Sequence, residues 1–234
     1  PFLGWRGIRV TLDHPEIFLA QVRAMLKANE GLGNLRILLP MISGVEELEE
    51  SLVLMERCHE EVLAEGYSES FPPVGVMIEV PSAVYLATAL AERVDFLSVG
   101  SNDLTQYLLA VDRNNARVAD LYQALHPAVL SALQAIVSAA HGAGKTVSIC
   151  GELAGDPRAV PLLIAMGFDQ LSMSATNVPR VKKVVQTITE RDALGVLAKI
   201  QGLHSAEQVM AVLDELIHRY ELDRFIRLDK GSRQ

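Results

Sequence analysis

The chain has 234 residues, half of them hydrophobic, with 29 acidic against 21 basic side chains and a net charge of -8. That balance argues against a nucleic-acid surface, and no apolar run approaches the roughly 18 residues that span a membrane. The start is not a signal peptide, and with only Cys58 and Cys150 present the cysteines read as reduced thiols of a cytoplasmic protein.

In chain order, short apolar strands are predicted at 8–12, 35–39, 74–78, 96–99, 146–149 and 171–173. Amphipathic helices follow them at 15–29, 45–65, 83–93, 127–141, 157–166 and 179–189. Glycines at Gly31 and Gly33, Gly142 and Gly144, and Gly167 close helices before strands. The stretch from Glu190 to about Tyr220 reads as two more amphipathic helices, and the tail from Arg224 to Gln234 as polar and frayed. Strands this apolar, each followed by a helix, mean a parallel sheet covered by helices. No linker or composition shift divides the chain, and its length suits one large α/β domain.

The strand ends carry the chemistry. Ser148-Ile-Cys-Gly-Glu-Leu-Ala-Gly-Asp156 places Cys150 at the C-terminal end of a strand, beside a helix start, where a thiol can act as acid or nucleophile. An isolated cysteine there equally fills space in a core. The strand Val74-Gly-Val-Met-Ile-Glu-Val-Pro81 ends in Glu79, and Phe96-Leu-Ser-Val-Gly-Ser-Asn-Asp-Leu104 ends in Asn102 and Asp103. Glu79 and Asp103 lie about one βα unit apart, at the same end of neighbouring strands. Hard oxygen ligands so placed, with water and substrate phosphate completing the shell, suit Mg²⁺ or Mn²⁺. Helix capping explains Asp103 as well, but it does not explain Glu79 after a continuous apolar strand.

An open doubly wound sheet would gather polar groups at one switch point. Here they recur at strand end after strand end, as in a (β/α)8 TIM-type barrel. About six of the eight βα units of such a barrel are expected, with the N-terminal ones missing. The chain opens at Pro1-Phe-Leu-Gly-Trp5 without an initiator methionine, which fits a piece of a longer protein. The expected division is a partial barrel over residues 1–200 and a C-terminal helix and tail over 201–234.

Six motifs carry a resemblance: Gly4-Trp-Arg-Gly-Ile-Arg9, Gly75-Val-Met-Ile-Glu-Val-Pro81, Gly100-Ser-Asn-Asp-Leu-Thr-Gln-Tyr107, Ala110-Val-Asp-Arg-Asn114, Cys150-Gly-Glu-Leu-Ala-Gly155 and Ser172-Met-Ser-Ala175. From Pro1 to about Lys199 the chain resembles the C-terminal, phosphoenolpyruvate-binding domain of enzyme I of the bacterial phosphotransferase system, nearest its nitrogen-related paralogue. Pyruvate phosphate dikinase and phosphoenolpyruvate synthase share the fold and the Cys-Gly-Glu motif. The run Ser174-Ala-Thr-Asn-Val-Pro-Arg-Val-Lys-Lys183 is similar to the phosphotransferase branch.

The resemblance implies that Glu79 and Asp103 hold Mg²⁺, with Mn²⁺ able to substitute, and that Asn102 touches the substrate. It implies that Arg6 and Arg113 clamp the phosphate, work that suits a planar guanidinium fork. By themselves, Arg6 is equally a surface residue at a strand start and Arg113 a residue of a polar loop. Cys150 matches the general acid that protonates the enolate carbon to give pyruvate. The family's partners are an N-terminal phosphohistidine domain and a phosphocarrier protein, and its assembly is a homodimer with no nucleic acid and no membrane. Two further family arginines and the acceptor histidine match nothing in this chain. A silent dimerisation and phosphoenolpyruvate-sensing module, and a metal-dependent lyase on the same barrel, are the alternatives.

Other polar residues read more plainly. His14, His59 and His218 are expected to face solvent, and His126 and His141 to support the barrel or a helix end. Glu46-Glu-Leu-Glu-Glu50 is a charged helix start. Gly142-Ala-Gly-Lys-Thr146 lacks the strand and earlier glycine of a phosphate loop.

Overall fold

The computed structural model describes residues 2–226. Its helices are α1 (Ile8–Asp13), α2 (Pro15–Ala28), α3 (Val45–Ala64), α4 (Pro81–Tyr85), α5 (Ala87–Ala91), α6 (Ser101–Leu109), α7 (Pro127–Gly142), α8 (Glu152–Gly155), α9 (Val160–Met166), α10 (Val178–Thr187), α11 (Glu190–Ile200), α12 (Ala206–Arg219) and α13 (Asp223–Ile226). The strands are β1 (Ile37–Leu39), β2 (Val74–Ile78), β3 (Phe96–Gly100), β4 (Thr146–Cys150) and β5 (Gln170–Ser172), ordered β1-β2-β3-β4-β5 in one sheet. Strands that neighbour one another in chain order, with no reversal, leave no switch point, and this is the order of a βα barrel rather than of an open doubly wound sheet. Where register is resolved it is parallel: Ile37 lies opposite Val74, and Cys150 opposite Ser172.

Among the described residues five strands form where six were expected. The sixth, at 8–12, is helix α1. Ile-Arg-Val-Thr-Leu alternates and is rich in β-branched residues, which locally favours a strand. Gly7 overrides it: at φ 59° it turns the chain, and its carbonyl receives the N–H groups of Val10 and Thr11. Ile8 then points inward, 1 % exposed, and Trp5 Nε1 donates to Asp13 at 2.6 Å. Arg6 therefore precedes a helix instead of opening a strand.

Contacts divide the chain into two compact units, Pro1–Ser98 with Ala139–Thr146, and Val99–Ser138 with Val147–Gln234. In the first, α3 buries Leu48, Met55, Cys58 and Val62, a stripe at helical spacing, and packs on α2. Burial pushes the Cys58 thiol above its usual range. His59 is half-buried rather than solvent-facing, with Nε2 2.9 Å from the Glu69 carbonyl and an edge contact to Phe71. His218 is exposed as expected.

One device recurs. Asp95, just before β3, exchanges two hydrogen bonds with Val74 at 2.8 Å, through its own N–H and its carboxylate. Asp169, just before β5, does the same with Val147 at 3.0 and 2.8 Å. Each aspartate clips the start of the preceding strand and so fixes register where a slip would invert every side chain.

Beside the first clip, a β-carbon on Gly75 would stand 2.3 Å from the Phe96 ring, which lies under the Arg36 guanidinium. Gly75→Ala is expected to destabilise the protein by about 1–3 kcal/mol through overpacking, read as a lower urea midpoint. An unchanged midpoint would show that Phe96 yields without strain.

In the second unit α11 packs on α9 and α12 on α11. Both late helices are capped: Thr189 accepts the Asp192 N–H, and Ser205 accepts that of Gln208 while Gln208 Oε1 takes the His204 N–H. The Thr189 and Tyr220 hydroxyls hold the Asp192 carboxyl below its usual range. His126 accepts the Ala128 N–H at the start of α7, as anticipated. Most of the expected polar tail lies outside the described residues. Among the described residues no helix is long and apolar enough to cross a membrane.

Candidate active site

Alternate residues along each strand, Val74, Val76 and Ile78 in β2, Leu97 and Val99 in β3, and Val147 and Ile149 in β4, are buried apolar side chains, and the charged groups follow where the strands end. In the first unit Glu79 follows β2 directly and is 5 % exposed. Its Oε1 accepts the Met41 N–H at 2.7 Å. Met41, just past β1, holds a left-handed φ of 61°, an uncommon conformation for a side-chain-bearing residue. Its side chain lies against Gly7, next to Arg6, where a β-carbon would come within 2.8 Å. Arg6 is half-buried, with its guanidinium 6.0 Å from the Phe2 ring centroid. Arg6 and Glu79 are thus each held close to the Met41 turn.

The second unit brings the other four expected residues together. α6 begins immediately after β3, a helix the periodicity did not reveal because its first turn, Ser101-Asn-Asp103, is polar. Asp103 is 7 % exposed and lies 3.5 Å from the Arg113 guanidinium. Gln106 Oε1 accepts the Arg113 N–H at 3.1 Å, which ties the loop after α6 back to the helix. Asn102 Oδ1 accepts the Glu152 N–H at 3.1 Å, fixing which way its amide turns. Cys150 is half-buried and directs its thiol to the Val99 carbonyl at 3.3 Å.

Sequence reasoning missed three contributors. Ser101, 1 % exposed, donates to the Cys150 carbonyl at 2.6 Å. Tyr122 donates to the Asn102 carbonyl at 3.3 Å, and burial pushes its phenol up. Met41 contributes its backbone N–H, donated to Glu79 from a left-handed turn. Ser101 stands inside the quoted Gly-Ser-Asn-Asp run, but no spacing marks Tyr122 or Met41.

Asn102, Cys150, Gly151 and Glu152 share a cleft of 390 Å³ with Ser172, Met173, Ser174 and Asn177 at the ends of β4 and β5. That volume suits a small polar metabolite. The described residues include no cluster of three or more His, Cys, Asp or Glu that could cage a metal. Glu79 and Asp103 are separate buried carboxylates, and carboxylate oxygen is the donor type that Mg²⁺ and Mn²⁺ favour.

Residues 1–190 match the model of a family described as PEP-utilising enzyme, PEP-binding domain. A Salmonella typhimurium protein named phosphoenolpyruvate-dependent phosphotransferase system is 48 % identical over 228 residues, 97 % of this chain and 30 % of that protein. A phosphoenolpyruvate-protein phosphotransferase of Haemophilus influenzae is 46 % identical over 226 residues, 95 % of this chain and 38 % of its own. The chain thus spans about a third of the length of these relatives. Among solved structures, a citrate lyase from Burkholderia xenovorans superposes with a TM-score of 0.55 at 19 % identity, covering 86 % of this chain and 68 % of that one. This likeness bears on the fold alone and agrees with a partial βα barrel. By the match over residues 1–190, the chain belongs to the PEP-utilising enzymes, as their PEP-binding domain.

Proposed function

We propose that this domain binds phosphoenolpyruvate for a phosphotransferase that passes the phosphoryl group to a histidine on a separate domain, and from there to a phosphocarrier protein, releasing pyruvate. The observation that carries the reading is the convergence of Asn102, Asp103, Arg113 and Cys150 at one group of strand ends in the second unit, beside a cleft of 390 Å³. Arg113 and Arg6 pair with the phosphate oxygens, and the Asn102 amide orients the substrate. Cys150 gives its proton to the methylene carbon of the enolate as the phosphoryl group leaves, and solvent restores the thiol. Glu79 and Asp103 are the residues that would hold Mg²⁺ or Mn²⁺, which when bound offsets charge on the substrate's oxygens.

A cytoplasmic homodimer belongs to the same reading. So does a barrel part running to residue 200 with a C-terminal segment from 201; α12, packed on α11, would buttress the barrel's outer layer.

The test is a Mn²⁺ titration of the full-length protein, with and without phosphoenolpyruvate. Glu79→Ala and Asp103→Ala are each expected to weaken Mn²⁺ at least ~10-fold, since even residues that only orient metal ligands commonly contribute that much. Undiminished Mn²⁺ binding in both variants would overturn the assignment.

A further inference from the structure

We infer that Ser101 is a positioning residue for the Cys150 thiol, the inference resting on the reading of Cys150 as the proton donor. The end of β3 and the start of α6 hold the end of β4 at three points in a row. The thiol donates to Val99, the Cys150 carbonyl accepts from the Ser101 hydroxyl, and the Glu152 N–H reaches Asn102. Between them Gly151 takes φ 100°. The chain therefore turns sharply at the residue after the thiol, and the orientation of the Cys150 carbonyl decides where that turn begins.

Ser101 is the group that sets this orientation. Although it is the first residue of α6, its side chain does not cap the helix but reaches to the neighbouring strand end. At 1 % exposure the Ser101 side chain has this carbonyl, rather than bulk water, as its partner. Asp103 lies two residues further on in the same helical turn, so the latch couples the placement of the proton donor to that of an expected metal ligand. Without the hydroxyl, the carbonyl loses one of the bonds that orient it, and the thiol of the same residue shifts with it. Misplacements on the order of 1 Å can cost about 10²-fold in rate.

The experiment compares Ser101→Ala, Ser101→Cys and Ser101→Thr with the parent and with Cys150→Ala in the full-length protein. It reads deuterium incorporation from solvent into pyruvate, phosphoenolpyruvate and Mn²⁺ dissociation constants, melting temperature, and the pH profile of iodoacetamide alkylation at the Cys150 peptide. Ser101→Ala is expected to slow exchange at least ~10-fold while both dissociation constants stay within about 3-fold. Ser101→Thr, which keeps the hydroxyl, restores exchange, and Ser101→Cys, a weak donor of similar volume, falls between. The alkylation profile shifts in Ser101→Ala and returns in Ser101→Thr.

Parental exchange in Ser101→Ala overturns the proposal, and so does a loss of binding equal to the loss of exchange. Should Ser101→Ala fail to fold, parental exchange in Ser101→Cys overturns it instead. If Cys150→Ala itself exchanges at the parental rate, the catalytic reading of Cys150 fails. Positioning by Ser101 is then decided by alkylation, and an unchanged profile in Ser101→Ala sinks it.

Discussion

Cys150→Ala is expected to abolish the exchange of solvent hydrogen into pyruvate and to slow phosphoryl transfer from phosphoenolpyruvate by at least ~10²-fold, the usual loss on removing a general acid. Binding should barely change, because in the proposed function the attraction for phosphate and carboxylate comes from the arginines and a cation at the carboxylates, not from the thiol. The thiol must be protonated when the enolate forms. In the structure it is a donor, toward the Val99 carbonyl at 3.3 Å, and a carbonyl oxygen has nothing to offer a thiolate. Cys150→Ser adds a second arm: a hydroxyl keeps a donor toward Val99 but is a far weaker acid, so placement is retained and proton transfer is not. Calorimetric dissociation constants and mass-spectrometric deuterium counts on the three proteins decide the matter. A Cys150→Ala protein that still exchanges at the parental rate would return the cysteine to a packing role.

The placement of these groups was legible in the sequence because barrels put polar residues where apolar strands stop. Val74–Ile78 forms where its apolar run predicts and Thr146–Cys150 where its small, β-favouring residues do, and the places of Glu79 and Cys150 follow from those strand ends. What could not be read was decided by contacts distant in sequence or by single backbone angles. Ile8–Leu12 looks like a strand until Gly7 turns the chain and the Ile8 N–H meets the Pro40 carbonyl. The expected helix at 83–93 breaks into α4 and α5 at Leu86, whose ψ of 7° no composition signal announces. α6 stayed hidden because its first turn carries the candidate site's polar residues in place of an apolar stripe, so local periodicity gives way there. The hydrogen bonds of Ser101 and Tyr122 depend on which loops meet, and no window of neighbouring residues encodes that.

Gly151 is the position where the least atomic change should do the most damage. It adopts φ 100°, where a side-chain-bearing residue is strained by about 1–3 kcal/mol. An added β-carbon would also stand 2.5 Å from the Ser101 hydroxyl and 2.8 Å from the Asn102 amide oxygen. Those are the two atoms that latch the end of β4, so relieving the clash means breaking one or both of their hydrogen bonds, at roughly 1 kcal/mol each. Gly151→Ala is therefore expected to lose about 2–5 kcal/mol of stability by urea denaturation. Proton exchange should fall by at least ~10²-fold, since the thiol and the Asn102 amide are displaced together. Strain and collision separate in a double-mutant cycle with Ser101→Ala. The backbone strain persists in the double variant, but the closest collision is gone, so the combined loss should be smaller than the sum of the single losses by about 1 kcal/mol or more. Strict additivity would mean that the glycine is required only for its backbone angle and that the contact with Ser101 carries no weight.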